Sequence, residues 1–314
     1  MGNQTMLKEF FLSGLSDLPA LQFPLFLFFL LIYLLTLIWN LLIIVLIVTE
    51  SHLRVPMYFF IGNLAGLDLC FSSVTVPRML FDLLTKRRNI TITACMTQVF
   101  FFLFFAAAEA LLLTVMSYDR YTAICRPLHY VQIMSWTVCV QLTSIVWCLS
   151  FSNALVHTFC AFKVQFCGSN IIESFFCDLP QLFWIACSDV YINILLIFIV
   201  GAILGVGSLT MTFLSYISIF NTVLKIQVPG NRSKVFSTCT SHLTVVFMYY
   251  GFIFLNYFQP GASHDFPGDK MAPVFYTVII PLLNPLIYSL RNRDFKRVFQ
   301  DVFGKINHIQ EIRS

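Results

Sequence analysis

Two acids stand where acids are costly. Asp68 lies 11 residues into an apolar run that begins at Met57, and Glu109 lies 10 residues before an adjacent Asp119–Arg120 pair that closes another run. An ionised carboxylate in hydrocarbon costs on the order of several kcal/mol unless it is paired, so each acid is a functional candidate in its own right. Facing one another, the two would share a proton or hold a small cation. Asp119–Arg120 comes at the end of its apolar segment, where long side chains reach toward water. Its plain reading is a charge pair at a membrane edge, and its sharper reading is a conformational latch. Farther on, Pro281 and Pro285 fall four apart in an apolar segment that ends at Tyr288 and Ser289. Each proline removes a backbone donor and bends a helix, which leaves Asn284 able to hydrogen-bond a neighbour.

Ten cysteines divide by place. Cys70, Cys125, Cys139, Cys148, Cys160 and Cys239 fall in or near apolar runs and are most simply buried thiols. Cys95, Cys167, Cys177 and Cys187 fall toward the outer, oxidising side, and four such cysteines allow three pairings. The spacing alone does not choose among them. Zinc-type Cys-x-x-Cys pairs, Walker loops and GxGxxG loops are all missing from the sequence, and nothing in it resembles a nucleophile with its base. An enzyme is therefore the weakest reading.

These groups need elements to carry them, and the composition says which. Hydrophobic residues make up 58% of the 314, charged residues only 11%, and the mean hydropathy is +0.82. A soluble domain would carry about twice that share of charge. Apolar runs recur at Leu25–Val48, Met57–Leu84, Ile90–Tyr118, Ser135–Phe162, Val190–Leu224, Val235–Tyr257 and Met271–Leu290. Backbone groups in lipid must be satisfied within the segment, so the pattern predicts seven membrane helices in an all-α bundle. The reading divides the chain into an outer amino terminus (1–24), a seven-helix domain (25–290) and a cytoplasmic tail (291–314).

Basic residues orient the bundle. With the amino terminus outside, the inner side collects twelve Lys and Arg, among them Arg54, Arg126, Lys225 and Arg291, and the outer side seven. The cluster Lys86-Arg87-Arg88 opposes this choice, but the sequons at Asn3 and Asn89 favour it, since both would then face the lumen as glycosylation acceptors. Past Leu290, Phe295, Val298, Phe299, Val302 and Phe303 share one helical face opposite bases, which predicts an amphipathic eighth helix on the inner leaflet. A net charge of +4, without basic patches interleaved with aromatics, argues against nucleic acid as a partner. A cation channel or transporter would need more than two acids and some sign of an inverted repeat.

Five segments together carry a resemblance. They are Pro56-Met57-Tyr58-Phe59-Phe60, residues 116–125 with Pro127-Leu128-His129-Tyr130, Ser215-Tyr216, residues 234–243 (KVFSTCTSHL), and Pro281 to Asn292. The chain resembles the rhodopsin-type (class A) G-protein-coupled receptors, and among them the olfactory receptors, over nearly its whole length. Trp39 departs from the family pattern before Asn40, as do Ser150 after Trp147 and Ser174 before Phe175.

The resemblance implies bridges Cys95–Cys177 and Cys167–Cys187, and a sodium ion as allosteric ligand at Asp68 and Glu109, with no other cofactor. It implies an activation switch and G-protein contact built from Asp119, Arg120, Tyr216, His242, Asn284, Pro285 and Tyr288. It places a small, largely apolar odorant among Phe102, Leu103, Ala106, Ala107, Ile197, Gly201, Ile253, Phe254 and Tyr257, with Tyr250 at the pocket floor. The implied partner is an olfactory-type stimulatory Gα that raises cyclic AMP, with an accessory protein for surface delivery. The implied location is the plasma membrane of sensory-neuron cilia. The alternative is a related class A receptor for a non-odorant small molecule.

Overall fold

The computed structural model describes residues 8–16, 18–85, 87–167, 170–225, 229–257, 271–291 and 295; the side chains at 229–234, 236–238, 255–257, 271–272 and 290–291 lie outside that description. The expected sites Asn3 and Tyr257 (its side chain) therefore fall outside it, as does the expected eighth helix apart from Phe295. Phe295 is buried, with its ring edge-on to Tyr58 at 5.3 Å.

The first helix, Pro19–Thr49, begins six residues before the apolar run. Pro19 opens it, and a proline at the first helical turn lacks only a donor that would have had no partner there. The second (Pro56–Thr85), third (Ile92–Cys125), fourth (Trp136–Phe162) and fifth (Tyr191–Leu224) helices are, like the first, long and apolar enough to cross a membrane. The sixth (Pro229–Tyr257) and seventh carry the shorter apolar stretches Cys239–Phe254 and Phe275–Ser289. Large apolar side chains such as Leu31, Ile38, Phe159, Phe198 and Phe213 face outward, whereas Asn40, Asp68, Glu109 and Asn284 are buried at 1% exposure or less. The arrangement suits lipid outside and polar contacts inside.

The seventh helix is built as Met271–Val274, a π turn Phe275–Ile279 and Ile280–Arg291. Pro281 lacks the N–H that would reach back to the carbonyl of Thr277, and the widened turn includes that residue. A second π turn, Ala202–Val206, interrupts the fifth helix. Its outer part, Tyr191–Gly201, contains no buried residue.

Above the bundle lies a small sheet that periodicity in the sequence did not announce. Strand β1 (Glu9–Leu12) runs between β2 (Asn89–Thr91), antiparallel, and β3 (Ile171–Ile172), parallel. Phe10 pairs with Ile90 and Leu12 with Ile172, and alternation sends all four side chains inward, leaving Glu9 and Phe11 outside. Disulfides join Cys95 to Cys177 and Cys167 to Cys187, with Cα–Cα distances of 5.5 and 5.9 Å. Gln98 reinforces the first bridge: its Oε1 accepts from the Cys177 N–H at 2.9 Å, and its Nε2 donates to the Val74 carbonyl at 3.0 Å.

The Cys95–Cys177 bridge closes a loop of 82 residues and both sulfurs are buried. Cys95→Ser is expected to cost roughly 2–5 kcal/mol, enough to abolish surface display at 37 °C. Flow cytometry of an amino-terminal tag checks this, and normal display would show that the sheet and Gln98 hold the outer face alone.

Candidate functional site

The two buried acids converge on one amide. Asn284 Nδ2 donates to Asp68 Oδ1 at 2.9 Å and to Glu109 Oε1 at 3.2 Å, which joins the second, third and seventh helices at a point closed to solvent. Both protons of that amide are thereby used. Asp68 Oδ2, Asn284 Oδ1 and the Tyr288 hydroxyl are buried with no hydrogen-bond partner among the described residues. Two carboxylates and an amide oxygen are a donor set for a hard cation, which takes oxygen ligands. No group of three or more His, Cys, Asp or Glu side chains that could hold a metal ion occurs among the described residues. One turn earlier, Asn40 on the first helix donates to the Pro281 carbonyl at 3.0 Å. Trp39 beside it is half-buried against the core rather than replaced by a small residue.

Toward the end of the bundle that carries Asp119 and Arg120, His242 bridges three helices. Its Nε2 lies 3.0 Å from the Leu113 carbonyl of the third helix, and its Nδ1 lies 2.9 Å from the Tyr216 hydroxyl of the fifth. A carbonyl can only accept, so Nε2 carries the proton; in the neutral ring Nδ1 accepts from Tyr216. The two rings also stack at 5.7 Å. Below them Arg120 donates through Nε to Asp119 Oδ2 at 3.0 Å and through a terminal nitrogen to the same oxygen. Tyr130, in the short helix Tyr130–Ile133, donates to the other carboxylate oxygen at 2.8 Å. Burial and the adjacent Asp119 carboxylate hold the Tyr130 phenol well above its ordinary value, so it stays a donor at physiological pH. Tyr130 appeared in the sequence only as part of a motif. Its role as second partner of Asp119 had no signal of its own.

At the expected ligand level the residues separate. Phe102 is buried against Phe71, Phe176 and Tyr276, at ring distances of 5.5, 5.2 and 5.9 Å. Leu103, Ala106 and Ile253 are half-buried against the main core, Leu103 and Ile197 against the outer cluster, and Ala107 is half-buried as well. The Tyr250 hydroxyl is shared with Ser208 Oγ at 2.5 Å, and Tyr249 donates to the Ala106 carbonyl. Gly201 is exposed, and a Cβ there would meet nothing within 4 Å. Phe254 corrects an expectation: it is 59% exposed, on the outward face it shares at helical spacing with Phe247 and Gly251, while Val245, Val246 and Tyr249 face inward. Helical phase, which the motif likeness did not fix at that position, turns it away from the bundle.

A family model described as "Olfactory receptor" matches residues 29–305. The chain belongs to the olfactory receptor family. It is 47% identical over 305 residues to human (Homo sapiens) olfactory receptor 5B12, covering 97% of each chain. It is 44% identical to mouse (Mus musculus) olfactory receptor 5AR1, covering 96% of this chain and 98% of that one. The crystal structure of squid rhodopsin shares the fold at a TM-score of 0.66 with 21% identity, covering 93% of this chain and 87% of that one. This olfactory receptor is thus a seven-helix, multi-pass plasma-membrane receptor that responds to an odorant through a G protein and is not an enzyme.

In this receptor His242→Phe keeps the ring stack with Tyr216 and removes both hydrogen bonds. A net loss of about 1 kcal/mol for each bond, about 2 kcal/mol for both, shifts a two-state equilibrium about thirtyfold. Ligand-independent nucleotide exchange on Gα is expected to rise by that order at matched surface display. Unchanged basal exchange would reduce the bridge to packing.

Proposed function

We propose that this receptor binds a small, largely apolar odorant between its third, fifth and sixth helices and activates an olfactory-type stimulatory Gα, raising cyclic AMP. The observation that carries this reading is the His242 bridge, where one side chain on the sixth helix bonds both the third and the fifth. An agonist must favour an arrangement in which that bridge opens, because a ligand of equal affinity for both states shifts nothing. Phe102, Leu103, Ala106, Ala107, Ile197, Gly201 and Ile253 are the residues proposed for the ligand site. Tyr257 is retained from the sequence, and Phe254 is not. Tyr250, bonded to Ser208 and within 3.5 Å of the Ala110 carbonyl, couples the floor of that site to the third and fifth helices.

On the inner side, Arg120 leaves Asp119, which Tyr130 continues to hold, as the sixth helix moves, and the opened cavity receives the carboxyl-terminal helix of Gα. Pro285 and the Tyr288 hydroxyl, which has no hydrogen-bond partner among the described residues, supply the hinge and a new partner on the seventh helix. Asp68 and Glu109 would hold a sodium ion, which would offset one of their two negative charges, while Asn284 bonds both carboxyl groups. The amino terminus lies outside, with Asn3 and Asn89 as glycan acceptors. Asn89 is exposed, though its Nδ2 already donates to Glu9 Oε2 at 3.2 Å. The tail 291–314 lies along the inner leaflet, and delivery to cilia uses an accessory protein.

Two measurements test this. In cells expressing the receptor with an olfactory stimulatory Gα, an odorant panel is expected to yield at least one dose-dependent cyclic AMP rise. Arg120→Ala should abolish it, and Phe254→Ala should leave its potency within about twofold, as for a substitution facing lipid. Signalling that survives Arg120→Ala at equal display sinks the latch. Replacing external and internal sodium by a bulky organic cation is expected to raise basal cyclic AMP in wild type but not in Asp68→Asn; equal behaviour of the two removes sodium from the account.

A further inference from the structure

The residues before the first helix reach the proposed ligand level through the roof of the receptor. Phe10 and Leu12 of β1 are fully buried, and Phe10 meets Phe166 edge-on at 5.1 Å. Beyond the strand, Ser13 N donates to the Ile172 carbonyl at 2.9 Å and Gly14 N to the Ser174 carbonyl at 3.1 Å. Gly14 has φ +74°, and a Cβ there would lie 3.2 Å from the Arg88 guanidinium, so both backbone and space call for glycine. Arg88 donates to the Ser13 carbonyl and, at 2.8 Å, to the Ser16 carbonyl. The segment is thus paired on both sides and clamped from below.

What it holds in place is Phe176. Residues 171–174 are tied to β1 and its extension, and Cys177 is tied to Cys95 and Gln98. Phe176 lies between these anchors, buried, with its ring 5.2 Å from Phe102. A one-residue slip in β3 would invert the alternation that buries Ile172 and move everything after it.

We propose that the amino-terminal strand is a positioning strap for ligand recognition: by fixing the register of β3 it seats Phe176 on Phe102, with Arg88 as its clamp. The proposal rests on the reading of the Phe102 level as the ligand site. It treats the strap as a static part of that site, not a gate that must open.

The test uses full-length receptor and whichever volatile agonists the panel of aliphatic alcohols, aldehydes and esters yields. At matched surface display, Phe10→Ala/Leu12→Ala and Arg88→Gln are expected to raise EC50 at least tenfold and to reorder agonist potencies. Arg88→Lys, which keeps the positive charge and most of the reach, should recover part of the loss. Phe11→Cys/Ile171→Cys, cross-linked at a paired and exposed position, should keep wild-type potency and response kinetics. Unchanged EC50 values and rank order in the first two variants would overturn the proposal, as would a cross-linked receptor that no longer responds. Amide hydrogen exchange on purified receptor gives a second arm that needs no agonist. Arg88→Gln should cut protection of Ser13, Gly14 and Ser174 at least tenfold while inner-half amides stay unchanged, and equal protection in wild type and variant overturns the strap. If wild type responds to nothing on the panel, the cyclic AMP reading fails, and the exchange result still decides the strap.

Discussion

Hydrocarbon offers no hydrogen bonds, and most of this receptor follows from that. A polar group inside the bundle must find its partner in its own helix or on another, because leaving it unpaired costs more than in a soluble protein's surface layer. The partners are few, and each therefore links several elements. Asn284 joins three helices with one amide, His242 joins three with one ring, and Asn40 joins the first helix to a carbonyl beside a proline. Apolar packing surrounds these ties but does not choose between arrangements as sharply, since lipid tails are as good a neighbour as leucine.

The acids at 68 and 109 are the clearest case. Their burial is eased by the hydrogen bond that Asn284 donates to each, yet no cationic side chain is bonded to either among the described residues. A site in that condition responds to whatever neutralises it, proton or small cation. Its position in the seventh helix, just after a π turn and beside two prolines, puts it where the backbone is already departing from regular helix. Charge state and helix shape are therefore coupled at one residue.

Much of this was legible in the sequence, for reasons that differ by element. Long charge-free runs have only one stable form in lipid, so the helices and the two intramembrane acids could be read directly. The limits of the helices were less clear, since Pro19 and the polar ends of the third and sixth helices extend past the apolar runs. The sheet left no trace, because strands of two to four residues are too short to show alternation. Tyr130 was invisible as a partner of Asp119, because the two stand on different helices and the chain turns between Cys125 and Tyr130. Phe254 was misassigned for the opposite reason. It lies in an apolar, aromatic stretch where every residue resembles a pocket wall, and only helical phase separates inside from outside.

The two ends of the bundle are held by different kinds of force, and that difference has a direction. The outer end has two disulfides, a sheet, Gln98 and a guanidinium clamp, which are covalent or redundant. The inner end has the His242 bridge, one shared carboxylate at Asp119 and a small apolar cluster of Ile219, Val223 and Cys239. A free-energy change delivered at the middle of the bundle will be resolved where the restraints are weakest. Removing one hydrogen bond inside alters the balance of states by about fivefold, whereas the outer restraints would have to fail together. Under the proposed reading, a rigid outer half keeps the shape of the ligand site above an inner half poised on single contacts, and a small apolar ligand is thereby read as movement on the far side of the membrane.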